Sequence, residues 1–163
     1  MSINTTSEKS LGLDRSEWAH LLSLGAQEVF AMMVGATLIP CGVPELPIFP
    51  EFTAMVGLAG PICGLFSVRC NSPAAVSIAS AMLGTPVEVA SPETRDALGE
   101  ICNMVIGHFK HKVGEIGEAS MLSVPTVVRG SDYRVRSLAD STVMESYLQL
   151  AEETILFRLN YKL

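Results

Sequence analysis

The chain has 163 residues, 48% hydrophobic and 17% charged, with a formal net charge of −6. Its eleven Lys and Arg residues are scattered, which argues against nucleic-acid binding, because phosphate contacts draw their affinity from clustered cations. No stretch reaches the roughly 18 apolar residues that a membrane span needs, and residues 1–13 lack the apolar run of a secretory signal, so no membrane association and a cytoplasmic location are expected. The apolar fraction exceeds what the core of one small domain needs, so part of it is expected to meet a partner or a second copy. Cys41, Cys63, Cys70 and Cys102 are widely spaced with no CxxC pair, which predicts free thiols and no metal site.

Residues 1–13 are Ser/Thr-rich and predict a flexible N-terminal lead-in, with residues 14–163 forming a single domain. Asp14 or Ser16 can cap a helix running to about Val34, whose apolar positions include Trp18, Leu22, Ala26, Val29, Phe30 and Met33. Met32, Met33 and Met82 sit at positions expected to be in the core. Ala36 to Ile39 reads as a brief edge strand, followed by an irregular Pro-rich loop. Phe52 to Leu58 and Ile62 to Arg69 read as a hairpin turned at Gly60-Pro61.

Asn71-Ser72-Pro73 opens a helix over 74–83, closed by Gly84. Ser91-Pro92-Glu93 combines a capping hydroxyl, a first-turn proline and an acid at the positive helix end, and starts a long helix ending near Lys112 or Gly117. Pro125 to Val128, Tyr133 to Leu138, Val143 to Leu150 and Thr154 to Leu163 read as strands. The last alternates, with Ile155, Phe157, Leu159, Tyr161 and Leu163 on one face. The whole is an α+β arrangement: a mostly antiparallel sheet with two long helices packed on one face, and a weak two-fold echo between the halves. The opposite face of the sheet must be partly wet or shared.

The helix beginning at Pro92 has two unlike sides. At 3.6 residues per turn, Leu98, Ile101, Cys102, Val105, Phe109 and Val113 gather on one side as a core stripe. Asp96, Glu100, Asn103 and Gly107 gather on the other, with Gly99 beside them. A glycine inside a helix costs about 1 kcal/mol relative to alanine, so two along an exposed ridge suit a surface that something approaches closely. On spacing alone a solvated face, with the glycines packed on a neighbouring helix, is the favoured reading.

The stretch Asp96-Ala-Leu-Gly-Glu100-Ile-Cys-Asn103-Met-Val-Ile-Gly107, followed by Ser123-Val-Pro125-Thr-Val-Val128, resembles the signature of the CheC/CheX/flagellar-switch chemotaxis phosphatase family. The resemblance is strongest over residues 91–128. CheC-type members carry two Glu-x-x-Asn helices and CheX-type members one. In the first helix, Glu17 is followed three residues later by His20 and Glu28 by Ala31, so the single motif points to the CheX type and its pseudo-two-fold fold.

The resemblance implies a phosphatase that hydrolyses the aspartyl phosphate of a CheY-like response-regulator receiver, and a homodimer formed through sheet edges. The receiver supplies Mg2+ and a lysine, so the chain needs no cofactor of its own. What is missing is a water held in line with the leaving oxygen. Asn103 can hold that water without the charge repulsion a carboxylate would bring. Glu100 would pair with the partner's lysine. Asp96 would be a docking acid, Gly99 and Gly107 would let partner loops approach, and Met104 would add apolar contact.

Two other readings stay open: a non-catalytic docking module using the same ridge, or a small hydrolase built on Cys102 or His108. His108 and His111 lie on adjacent turns without a third metal ligand at sensible spacing. Near a helix C-terminus they are expected to face solvent.

Overall fold

The computed structural model describes residues 15–136 and 140–163. The expected lead-in, residues 1–13, lies outside the described residues, as do residues 137–138 of the strand expected at 133–138. The elements in chain order are α1 (Arg15–Met33), β1 (Ile39–Cys41), β2 (Phe52–Ala59), β3 (Cys63–Cys70), α2 (Ser72–Leu83), α3 (Pro92–Lys112), α4 (Glu115–Glu118), β4 (Met121–Leu122), β5 (Thr126–Arg129), β6 (Thr142–Leu150) and β7 (Glu153–Lys162).

The expected capping chemistry operates at both later helices. The Asn71 side-chain carbonyl accepts from Ala74 N at 3.0 Å, and Gly84 at φ 68° closes α2. The Ser91 hydroxyl accepts from Thr94 N at 3.3 Å, while the Thr94 hydroxyl donates to Glu88 O at 2.8 Å, so the first turn of α3 is held from both sides. The first edge strand lies later than expected, at Ile39–Cys41. Leu38 is fully buried and its carbonyl accepts from the Gln27 side chain at 3.1 Å, so the ladder to β6 starts only after it.

All strand pairs are antiparallel, in the order β1-β6-β7-β3-β2-β4, with β5 also pairing with β2. Paired about the central β3–β7 contact, the order is two-fold. Each half contributes a long helix, a short strand that joins the other half's hairpin (β1 on β6, β5 on β2), and a hairpin of its own. The twofold echo in the sequence is therefore real at the level of topology. At the centre, a Cβ on Gly64 would overlap Asn160 O at 1.9 Å, so the β3–β7 contact requires glycine there.

Helices α1, α2 and α3 pack on one face over Phe52, Val56, Phe66, Ile155, Phe157 and Leu159. Trp18 ties this layer together, with its ring 5.6 Å from Phe109 of α3 and 5.3 Å from Tyr161 of β7. Ile155, Phe157, Leu159 and Tyr161 face the core as expected, while Leu163 lies beyond the strand and is exposed. Met32 and Met33 also depart from expectation. They fall on the outer side of the last turn of α1 and are exposed, whereas Met82 packs against the core.

The opposite sheet face is partly covered. Thr53, Ser67, Leu156 and Asn160 are buried there, and the Tyr133 phenol shares a hydrogen bond with the Thr53 hydroxyl. Residues 133–136 form no strand, contrary to expectation.

Candidate functional site

Helix α3 presents the two sides that its periodicity predicts. Leu98, Ile101, Cys102, Val105 and Phe109 are buried to within 1% of full burial and Val113 to 8%, which fixes the helix's rotation on the sheet. Fixing that rotation turns Asp96 and Glu100 fully outward and leaves Asn103 and Gly107 half-exposed. Glu100 and Asn103 stand one turn apart on this ridge. Neither side chain has a hydrogen-bond or ion-pair partner among the described residues. A free carboxylate and a free amide on a helix rigidly seated on a core are groups available to another molecule.

The two glycines differ. At Gly107 a Cβ would meet nothing within 4 Å, so the ridge there is open. Gly99 is buried: a Cβ there would lie 3.4 Å from Pro125 Cβ and Cγ and 3.5 Å from Val127 Cγ2. This corrects the placement of Gly99 beside an open ridge. The loop that comes down onto Gly99 is the chain's own, and the proline in the signature is the residue that fills its notch.

Together Arg95, Asp96, Gly99, Glu100, Pro125 and Val127 line a shallow hollow of about 320 Å³ beside Glu100. Arg95 was not singled out from the sequence, since one exposed arginine on a helix carries no pattern. Pro125 could have been, because an unexplained helical glycine and a distant proline in one signature imply a contact.

Met104 is half-buried against the core on the far flank of the ridge, so it borders the site as well as filling space. Cys102 is buried, and loss of hydration pushes its thiol far above its ordinary value, against a small opposing effect of a hydrogen bond with the Val68 backbone. A thiol so disfavoured as thiolate is a poor nucleophile, which removes the reading of a hydrolase built on Cys102.

His108 does not face solvent as expected. Its Nδ1 lies 3.4 Å from Glu28 Oε2 on α1, and Lys112 Nζ donates to Glu28 Oε1 at 2.9 Å. Of the two, His111 is the exposed one, with Nδ1 at 2.8 Å from Glu118 Oε1. Among the described residues no group of three or more His, Cys, Asp and Glu side chains is placed to hold a metal ion. No described helix is long and apolar enough to cross a membrane.

An antiparallel sheet covered on one face by paired long helices, one bearing an exposed acid–amide turn, defines a recognisable class, and the comparisons identify it. The family described as "Chemotaxis phosphatase CheX" matches residues 52–149, more than half of the chain, and that match contains all of α3, β2 and β5. The chain belongs to this CheX family.

The "CheY-P phosphatase CheX" of Thermotoga maritima is 29% identical over 99 residues, which are 60% of this chain and 64% of the relative. The match thus spans less than two thirds of that relative's length. Among solved structures, the chemotaxis protein CheX from Vibrio vulnificus superposes with a TM-score of 0.78 at 22% identity, covering 92% of this chain and 99% of that one. The CheX of the CheX-CheY-BeF3-Mg+2 complex from Borrelia burgdorferi superposes with a TM-score of 0.71 at 19% identity, covering 90% and 98%. These likenesses establish the fold.

Proposed function

We propose that the protein hydrolyses the aspartyl phosphate of a CheY-like response-regulator receiver. Asn103 holds the attacking water in line with the leaving oxygen, and Glu100 pairs with a lysine of the receiver and sets the register of docking. The observation that carries this reading is the free, outward Glu100–Asn103 turn on a helix lying wholly inside the region that matches the family. A related protein bears the name CheY-P phosphatase, and a structural neighbour was crystallised with CheY and Mg2+, in keeping with a receiver as the partner.

The chemistry assigned to Asn103 is positioning. An amide can both accept from and donate to a water without competing as a nucleophile, and holding one reactant in place lowers a barrier by removing the entropy of finding it. Asp96, at the rim of the hollow, contributes to docking, and the opening at Gly107 admits a partner's backbone. Mg2+ in this reading belongs to the receiver, and the chain contributes no cofactor.

A homodimer is part of the proposal. It is supported by the exposed Ile39 on the edge strand β1 and by Val43, Leu46 and Phe49 in the loop beyond it. Light scattering on the purified chain tests that part; a monomer across working concentrations removes it.

The phosphatase reading is tested by following phosphate release from a CheY receiver phosphorylated with acetyl phosphate in the presence of Mg2+. The wild-type chain accelerates release, and Asn103→Ala lowers the rate while still binding the receiver. An unchanged rate in that variant overturns the mechanism. Saturable binding with no acceleration by the wild type assigns a docking module instead.

A further inference from the structure

The two-fold order of the sheet relates α1 to α3, and the register between them can be read from burial and from the place where the helices cross. One shift of 83 positions carries Trp18, Leu22, Ala26 and Phe30 of α1 onto Ile101, Val105, Phe109 and Val113 of α3, and all eight are buried. Burial recurs with every helical turn, so the crossing fixes the register. Residues that a two-fold axis makes equivalent meet where the related helices cross it. A Cβ on Gly25 would lie 3.5 Å from the Cβ of His108, the residue 83 positions on.

The same shift carries Glu17 and His20 of α1 onto Glu100 and Asn103 of α3. Glu17 and His20 are exposed one turn apart, and neither has a hydrogen-bond or ion-pair partner among the described residues. Trp18, between them in sequence, is buried against Phe109 and Tyr161, so the turn is seated on the core as firmly as its counterpart. A carboxylate in the first turn suits the positive end of the helix dipole, which accounts for Glu17 and leaves the imidazole unexplained. A neutral imidazole, like an amide, both donates and accepts a hydrogen bond. One difference weakens the turn as a docking surface: Leu24 stands at the position equivalent to Gly107, where α3 is open.

We propose that α1 carries a second, slower site for the same receiver, with Glu17 pairing with the receiver's lysine and His20 holding the attacking water. The substrate rests on the phosphatase reading above. The receiver is the occupant because an acid and a donor–acceptor group stand at the same spacing, on the same outward side, at the register that the two-fold dictates. In the step itself the water oxygen bonds to phosphorus and the bond from phosphorus to the aspartyl oxygen breaks. The aspartate leaves as carboxylate, and the water's protons remain with the inorganic phosphate.

The test is made on the full chain carrying Asn103→Ala, with a CheY receiver phosphorylated by acetyl phosphate in the presence of Mg2+. Release above the receiver's own rate should remain, at about a hundredth of the wild-type rate. Adding His20→Ala should lower that remainder at least roughly tenfold with no change in melting temperature, since the side chain is exposed. His20→Asn should instead keep or raise it, an outcome that a merely structural histidine would not give. Glu17→Ala, in the same Asn103→Ala chain, should raise KM roughly tenfold. An active wild type whose Asn103→Ala variant shows no remainder, or a remainder that His20→Ala leaves unmoved, overturns the second site and leaves the phosphatase reading standing. A wild type that does not accelerate release overturns both.

Discussion

Helices α1 and α3 occupy equivalent places in the two halves of the fold, and each carries an acid on its polar side. Glu28 of α1 is committed: it accepts from Lys112 and lies against His108, so it staples the two helices. Glu100 of α3 has no partner among the described residues, and Asn103 beside it has none either. The same residue type in the same architecture thus serves cohesion where a cation from the neighbouring helix reaches it, and becomes available for another molecule where none does. The region matching the CheX family contains α3 and leaves out α1. Among the described residues the free acid–amide turn lies on the outward side of α3, whereas Glu28 lies on the side of α1 that packs against α3.

The sharpest way to break this comparison is to exchange the expected outcomes. Asn103→Ala should lower phosphate release roughly a hundredfold with no loss of thermal stability, because alanine is the better helix former at a half-exposed position. A fall in stability instead would mark Asn103 as structural, like Glu28. Gly99→Leu should cost about 1–3 kcal/mol in denaturant unfolding, since its side chain must displace Pro125 and Val127. It should also impair receiver binding by moving the loop that borders the hollow.

Gly107→Ala makes the opposite prediction. With nothing within 4 Å of the added Cβ, stability should rise by up to about 1 kcal/mol, while KM for the receiver rises if a partner's backbone approaches there.

The smallest effect belongs to the staple. Glu28→Gln should cost less than about 1 kcal/mol, as a half-exposed ion pair does, and leave phosphate release unaltered. Its pH dependence has a definite sign. The Lys112 ammonium, donating to Glu28, holds that carboxyl below its ordinary value of 4.5, with partial burial opposing and His108 adding to the depression. A depressed acid contributes stability that is complete above the ordinary value and is lost as the pH falls through the lowered one. Unfolding curves below pH 4.5 should therefore fall less steeply for Glu28→Gln than for the wild type.

Much of this was legible from residues alone where the determinant is local. Caps at Asn71 and Ser91, the stop at Gly84, the alternation of β7 and the core stripe of α3 depend on side chains within one turn or one strand of each other. Periodicity also placed Glu100 and Asn103 together on an outward face. The misplacements share one cause, contacts from far along the chain. Leu38 anchors in the core and delays β1. His108 meets an acid 80 residues away. Gly99 receives Pro125, the residue just before β5. Met32 and Met33 look apolar enough for the core, but the end of α1 runs past it.

By itself the sequence determined where α2 and α3 start, and that α3 would bear a polar turn opposite an apolar one, because hydrogen bonding and 3.6-residue periodicity are properties of neighbouring residues. Only the tertiary structure decided which polar groups stay free. Whether an acid is paired, a glycine filled or a valine left in water depends on what the fold brings within a few ångströms of it.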